Sequence, residues 1–196
     1  MKAPFDFVIE PKGNRYNNSI KVGEKDLIIN TEVYNHQFVN REAIVKSVPT
    51  AFKTEIKPGD EVIVHHNIFR RWHNVKGEEK NSRSFFNENT YFVKPDQIFL
   101  YKRNNEWKAP NGYCFVQPIK DKNNLTLDKE KDYVGIIKYT DGTYNKDELV
   151  GFTPFSMYEF IIDGKRLYRV MNQFITIKYE YQGNEEEYNP SWAKSS

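Results

Sequence analysis

Two runs decide the fold class: Pro58-Gly59-Asp60-Glu61-Val62-Ile63-Val64, and Tyr91-Phe92-Val93-Lys94-Pro95-Asp96-Gln97-Ile98-Phe99-Leu100-Tyr101. Pro-Gly-Asp cannot continue a ladder and Gly59 tolerates a positive φ, so a turn here launches a strand in which Val62 and Val64 share one face. The second run is a β segment bent at Pro95, where no backbone N–H is required, and it resumes as Ile98-Phe99-Leu100-Tyr101. Between the two lies a polar hairpin with Lys76-Gly77-Glu78-Glu79-Lys80-Asn81-Ser82 at its tip. The pattern predicts strands that enter and close a small β-barrel.

Composition agrees with a β protein. The 196 residues suffice for one large or two small domains, and 38% apolar with 29% charged residues is ordinary for a globular chain. Aromatics reach 15%, mostly Tyr and Phe, which favours sheet over helix. A net charge of +2, from 29 basic and 27 acidic residues, gives no field of one sign, so nucleic acid is not an expected partner. Cys114 is the only cysteine, which excludes an intrachain disulfide and fits a reducing compartment. Met1-Lys2-Ala3-Pro4-Phe5-Asp6 begins no apolar leader, and no run approaches the ~18 residues of a membrane span. The expectation is a soluble, cytoplasmic protein without membrane contact.

Working outward, Phe5, Phe7 and Ile9 alternate in a first strand ending at Pro11, and a polar run rich in Asn and Gly follows. After a connection at 106–112 the pattern restarts. Phe115-Val116-Gln117-Pro118 echoes Phe7-Val8-Ile9-Glu10-Pro11, and Val134-Gly135-Ile136-Ile137-Lys138 echoes Ala43-Ile44-Val45-Lys46. Lys146-Asp147-Glu148-Leu149-Val150 echoes Gly59-Asp60-Glu61-Val62-Ile63, and the run from Leu167 to Lys178 echoes that from Thr90 to Lys102. Elements recurring in one order make an internal repeat, the second copy having shorter loops. The expected division is 1–105 with an extended loop at 12–42, a second barrel at 113–181, and a frayed tail at 182–196.

The Val45-Lys46-Ser47-Val48 element, the Gly59-Asp60 strand entry and the closing Asp96-Gln97-Ile98-Phe99-Leu100 run resemble the small co-chaperonin family of GroES. The likeness covers about residues 5–103, with a weaker copy after it. It implies two tandem GroES-like β-barrels and a co-chaperonin that caps a GroEL-type chaperonin and assists ATP-dependent folding. In that family the interval between Pro11 and Ala43 is a mobile loop, which makes Leu27, Ile28 and Ile29 the implied chaperonin-binding triplet. The alternative on the residues alone is a hairpin pairing 27–33 with 38–45. The resemblance also implies a homo-oligomeric ring, with Phe5, Phe7, Ile98, Phe99 and Leu100 at the subunit interface; the two barrels of one chain take adjacent ring places or stack in two tiers. Residues 50–56 are too few for the family's roof hairpin, a departure that resembles co-chaperonins of large tailed phages and implies viral clients in a host cytoplasm. The rival function is a structural phage protein that uses the same barrels in a particle, with no chaperonin partner.

No catalytic pattern is present: there is no Gly-rich phosphate loop, no Gly-x-Ser-x-Gly elbow and no Cys–His pair at a motif spacing. The expectation is a non-enzyme without cofactor. His65, His66 and His73 cluster in sequence, yet on a strand His65 and His66 face opposite ways and no local carboxylate or thiol completes a tetrahedral set, so a metal is not expected. Arg70-Arg71-Trp72 has the chemistry to stack on a base, but reads as a strand end or subunit contact in a near-neutral chain.

Overall fold

At Gly59 φ is +92°, the left-handed region that glycine enters without a Cβ clash. The residue after it, Asp60, accepts the Lys57 amide at 2.8 Å and the Arg103 guanidinium at 2.6 Å through its carboxylate. The chain thereby turns and enters a strand at Glu61. The computed structural model describes residues 1–16, 19–28, 39–110, 112–122, 129–180 and 183–195. They divide into two units, Met1–Glu106 and Trp107–Ser196.

The first unit runs β1 (Phe7–Pro11), β2 (Ser19–Val22), β3 (Lys25–Ile28), β4 (Glu42–Ser47), β5 (Glu61–Val64), β6 (Arg71–His73), β7 (Glu79–Asn81), β8 (Phe85–Asn87), β9 (Thr90–Val93) and β10 (Ile98–Arg103). β11 (Glu106–Lys108) leads the chain onward. The second unit runs β12 (Tyr113–Lys120), β13 (Glu130–Thr140), β14 (Leu149–Phe152), β15 (Met157–Ile162), β16 (Lys165–Met171) and β17 (Ile175–Tyr179). Among the described residues there is no α-helix, so the chain is all-β.

The two units repeat one topology. The first orders its main strands β10-β5-β4-β1-β9-β8, with β11 beyond β10, and the second orders its strands β17-β14-β13-β12-β16-β15. The correspondence reaches the irregularities. A bulge between Val8 and Ile9 against β4 recurs between Phe115 and Val116 against β13. Another, opposite Ile63 and Val64, recurs opposite Gly151 and Phe152. A 3-10 turn, Pro95–Gln97, separates β9 from β10, and Asn172–Phe174 separates β16 from β17. Bulges fix register and re-aim a strand, so shared bulges place equivalent side chains on equivalent faces.

The cores follow. Matched through the strand registers, Phe7, Ile9, Val45, Val62, Val64, Tyr91 and Val93 of the first core correspond to Cys114, Val116, Ile137, Val150, Phe152, Tyr168 and Val170 of the second. Each copy has one Phe in the set, at position 7 in one and 152 in the other. Each such side chain, fully buried, stabilises its unit by about 1.5–3 kcal/mol.

Four expectations are corrected. The ladders remain open, the first ending at β11 and β8 and the second at β15 and β17, and among the described residues no sheet closes into a barrel. The pairing of 27–33 with 38–45 is not made by its described part: Leu27 and Ile28 on β3 pair with β2 across Gly23-Glu24, β4 is flanked by β1 and β5, and 29–38 lie outside the described residues. The 106–112 connection contains β11 and the buried Trp107. Lastly, the tail is docked in its described part: Lys120 donates to Glu186 O and Tyr188 to Pro118 O, both at 2.8 Å, and Asn189 brackets the β15–β16 turn from Gly164 O to the Arg166 amide. The open edge of β12 past its bulge supplied those unpaired groups.

Among the described glycines, Gly135 is the most closely approached. A Cβ there would lie 2.4 Å from Gln117 O and 2.7 Å from Val116 Cγ1, whereas the register-equivalent residue of the first unit is a buried alanine, Ala43. Gly135→Ala is expected to destabilise the second unit by at least about 1–3 kcal/mol, read as a lower urea midpoint. An unchanged midpoint would show that the strands yield at no cost.

Candidate functional site

The copies differ where they are spliced. In the first unit residues 12–41 join β1 to β4 and 65–84 join β5 to β8; the second bridges the same places with 121–129 and 153–156. The second unit completes the six-strand fold without long insertions; in the first, Tyr16, Val39, Ile68 and Phe69 of the insertions join the core, and the insertion side chains left outside it are the candidates for function.

The first insertion leaves the sheet through a braced neck. Asn40, 3% exposed, donates from its amide to Lys12 O at 3.0 Å and Asn14 O at 2.9 Å, and its oxygen accepts the Glu42 amide at 2.8 Å. The Asn40 backbone amide donates to Arg15 O at 2.9 Å, and Tyr16 pairs with Val39 in a single bridge. Beyond this neck stands the β2–β3 hairpin.

Arg15 and Tyr16 then tie the neck to the second insertion. The Arg15 guanidinium donates to Phe69 O at 3.1 Å and Asn81 Oδ1 at 2.8 Å, lies over the rings of Phe85 and Tyr91, and meets Glu88 at 3.5 Å. Tyr16 Oη accepts the Arg71 amide at 2.7 Å while the Arg71 guanidinium covers its ring. Such contacts hold a cation that is largely withdrawn from water. Burial pushes the Tyr91 hydroxyl up to about 12, with Arg15 and Arg71 opposing, so it stays neutral at physiological pH.

Of the implied docking triplet, Leu27 lies on β3 with 54% of its surface exposed, Ile28 pairs with Ser19 at the end of that strand, and Ile29 lies outside the described residues. Of the implied interface set, Phe7, Ile98, Phe99 and Leu100 are buried, between 0% and 8% exposed, and Phe5 is 67% exposed. Side chains already covered within the chain are not available to a neighbouring subunit; β1 and β10 lie inside the ladder, which is why theirs are covered.

The histidines sit differently from expectation. The strand ends at Val64, so His65 and His66 fall in a turn and their rings stack at 4.3 Å instead of facing apart. His65 Nδ1 accepts the Asn67 amide at 3.1 Å. Among the described residues no three His, Cys, Asp or Glu side chains converge on a metal-sized site. Cys114 is fully buried, and burial, helped by Asp141, pushes its thiol up to about 12, far from a reactive thiolate at neutral pH.

Sequence reading missed Arg15, Tyr16 and Asn40. In a polar loop such residues look solvated, and partners such as Asn14 for Asn40, Arg71 for Tyr16 and Asn81 for Arg15 lie 26, 55 and 66 positions away. No protein-family model, curated protein or solved structure matches the chain.

Asn40→Ala leaves two carbonyls and one amide of the neck without partners. We expect a loss of about 1–3 kcal/mol in the first unit and faster proteolysis within 12–41. An unchanged melting temperature and cleavage rate would contradict the bracing role.

Proposed function

We propose that the chain is a co-chaperonin that caps a GroEL-type chaperonin and assists ATP-dependent folding, with viral proteins as clients. In this reading the duplicated six-strand units act as GroES-like modules within a homo-oligomeric ring. The observation that carries it is Leu27: a large aliphatic side chain, 54% exposed, on a hairpin that, among the described residues, the first copy alone shows and that follows a braced neck. Leaving Leu27 in water is unfavourable within the chain alone, and burying it in an apolar groove of a partner recovers about 1.5–3 kcal/mol. Several hairpins on one ring then engage together, so weak single contacts add to a releasable but tight cap. Phe5 is the exposed member of the implied subunit contact.

A structural role in a particle is the second reading. It is favoured by β17, an edge strand on which Ile177 and Tyr179 are 49% and 40% exposed, a surface suited to strand addition.

Electron microscopy of the chain mixed with a GroEL-type chaperonin and ATP separates the two. The wild type is expected to cap the chaperonin ends, and Leu27→Asp to abolish capping with a change in stability within about 0.5 kcal/mol, because the side chain is exposed. Absence of capping by the wild type, or equal capping by the variant, would remove the chaperonin reading.

A further inference from the structure

Residues 65–84 hold five cations, Arg70, Arg71, Lys76, Lys80 and Arg83, against Glu78 and Glu79, a net +3 in a chain whose total is +2. Everything outside this insertion therefore sums to −1, and the near-neutral total is an average over an uneven distribution. Two of the five cations are committed: Arg71 pairs with Glu79 at 3.4 Å and Lys80 with Glu78 at 3.0 Å. Arg70 and Arg83 have no carboxylate partner among the described residues, and Arg70 Nε is shielded from water without a hydrogen-bond acceptor. The Nε atoms of Arg15, Arg71 and Arg169 share that state, so it is the meeting of Arg70 and Arg83 in one groove, and not this atom alone, that points to a ligand.

Both guanidiniums line one groove of about 540 Å³, walled also by Asn67, Trp72, Ser82 and Gln97. No Asp or Glu lines it. Ser82 Oγ donates to Ile68 O at 2.6 Å, and Gln97 Oε1 accepts the Lys94 amide at 3.1 Å, which leaves the Gln97 amide nitrogen as a donor; Asn67 and Ser84 add an amide and a hydroxyl that can each donate or accept. Trp72, half-buried on β6, supplies a flat aromatic wall. The groove is thus doubly cationic, free of carboxylates and walled by a stacking face, in the size range of small-molecule sites.

We propose that this groove binds a nucleotide phosphate, with Arg70 and Arg83 holding the oxyanion and the base stacked on Trp72. Two guanidiniums match a phosphate dianion in charge and fork geometry. A free mononucleotide and the end of a single strand present the same phosphate and base. The groove's lining comes from the second insertion and Gln97, whereas the implied docking triplet lies on the first insertion.

Calorimetric titration of the full chain with AMP, inorganic phosphate and oligothymidylate at low salt tests it. AMP is expected to bind saturably, and Arg83→Gln, on an exposed loop, to weaken both AMP and phosphate by roughly tenfold or more. Trp72→Leu should weaken AMP by a similar factor while leaving phosphate unchanged. Oligothymidylate binding tighter than AMP assigns the site to single strands, and equal or weaker binding assigns it to free nucleotide. The proposal is overturned if neither AMP nor oligothymidylate saturates, if Arg83→Gln binds like the wild type, or if Trp72→Leu lowers phosphate as much as AMP.

Discussion

The Gly59 amide donates to Val45 O at 2.8 Å and the Val45 amide donates to Asp60 O at 3.0 Å, a two-way exchange that fixes the entry of β5 against β4. The second unit makes the same exchange, from Asp147 to Ile137 O at 2.8 Å and from Ile137 to Glu148 O at 3.0 Å. The pivot must be left-handed: φ is +92° at Gly59 and +65° at Asp147, and aspartate is among the few side chains that tolerate that region. Once the entry is fixed, the register of every strand outward from β4 or β13 follows, because a one-residue slip would turn the apolar set to solvent. The acid after the pivot anchors a cation in both copies, Asp60 with Arg103 and Glu148 with Lys178.

A fold closed by such local constraints tolerates change elsewhere. The second copy keeps the strands, bulges and 3-10 turn while joining them by short connections, and the first accommodates two insertions at the same joints. The insertions brace each other through Arg15, Tyr16 and Arg71, so in this unit the exposed Leu27 hairpin and the cationic groove are carried by one connected platform. Lengthening a surface connection adds little loop-closure entropy, so an insertion can add residues to the core, as Tyr16, Val39, Ile68 and Phe69 do, and still carry others free for recognition.

Much of this was legible in the sequence because it rests on local chemistry. Pro58-Gly59-Asp60 announces its own turn, Asp163-Gly164 announces the β15–β16 hairpin with φ of +49° and +70°, and the apolar alternation of the echoing runs marks strands that pair in one order twice. Open and closed sheets share one alternation pattern, so closure was not legible. Nor was the docked tail, since Glu186, Tyr188 and Asn189 act through backbone and amide groups that any polar tail carries. Among site residues, Leu27 is exposed but sits in the paired β2–β3 hairpin, whose short polar-flanked run resembles a loop, whereas Phe7, Ile98 and Leu100 were read as an interface because apolar strand residues look alike whether covered by their own unit or by a neighbour. The groove escaped because Arg83 lies far in sequence from Arg70-Arg71-Trp72 and only the β6–β7 fold-back brings them together.

Amide hydrogen exchange of the chain with and without a GroEL-type chaperonin and ATP bears most directly on a fold used twice, with its docking element confined to one insertion. The account predicts slow exchange in the matched core strands of both units under either condition, fast exchange at 19–28 in the free chain, and protection of 19–28 when the chaperonin is present. Exchange at 19–28 that is already slow in the free chain, or protection falling on the second unit instead, would contradict it.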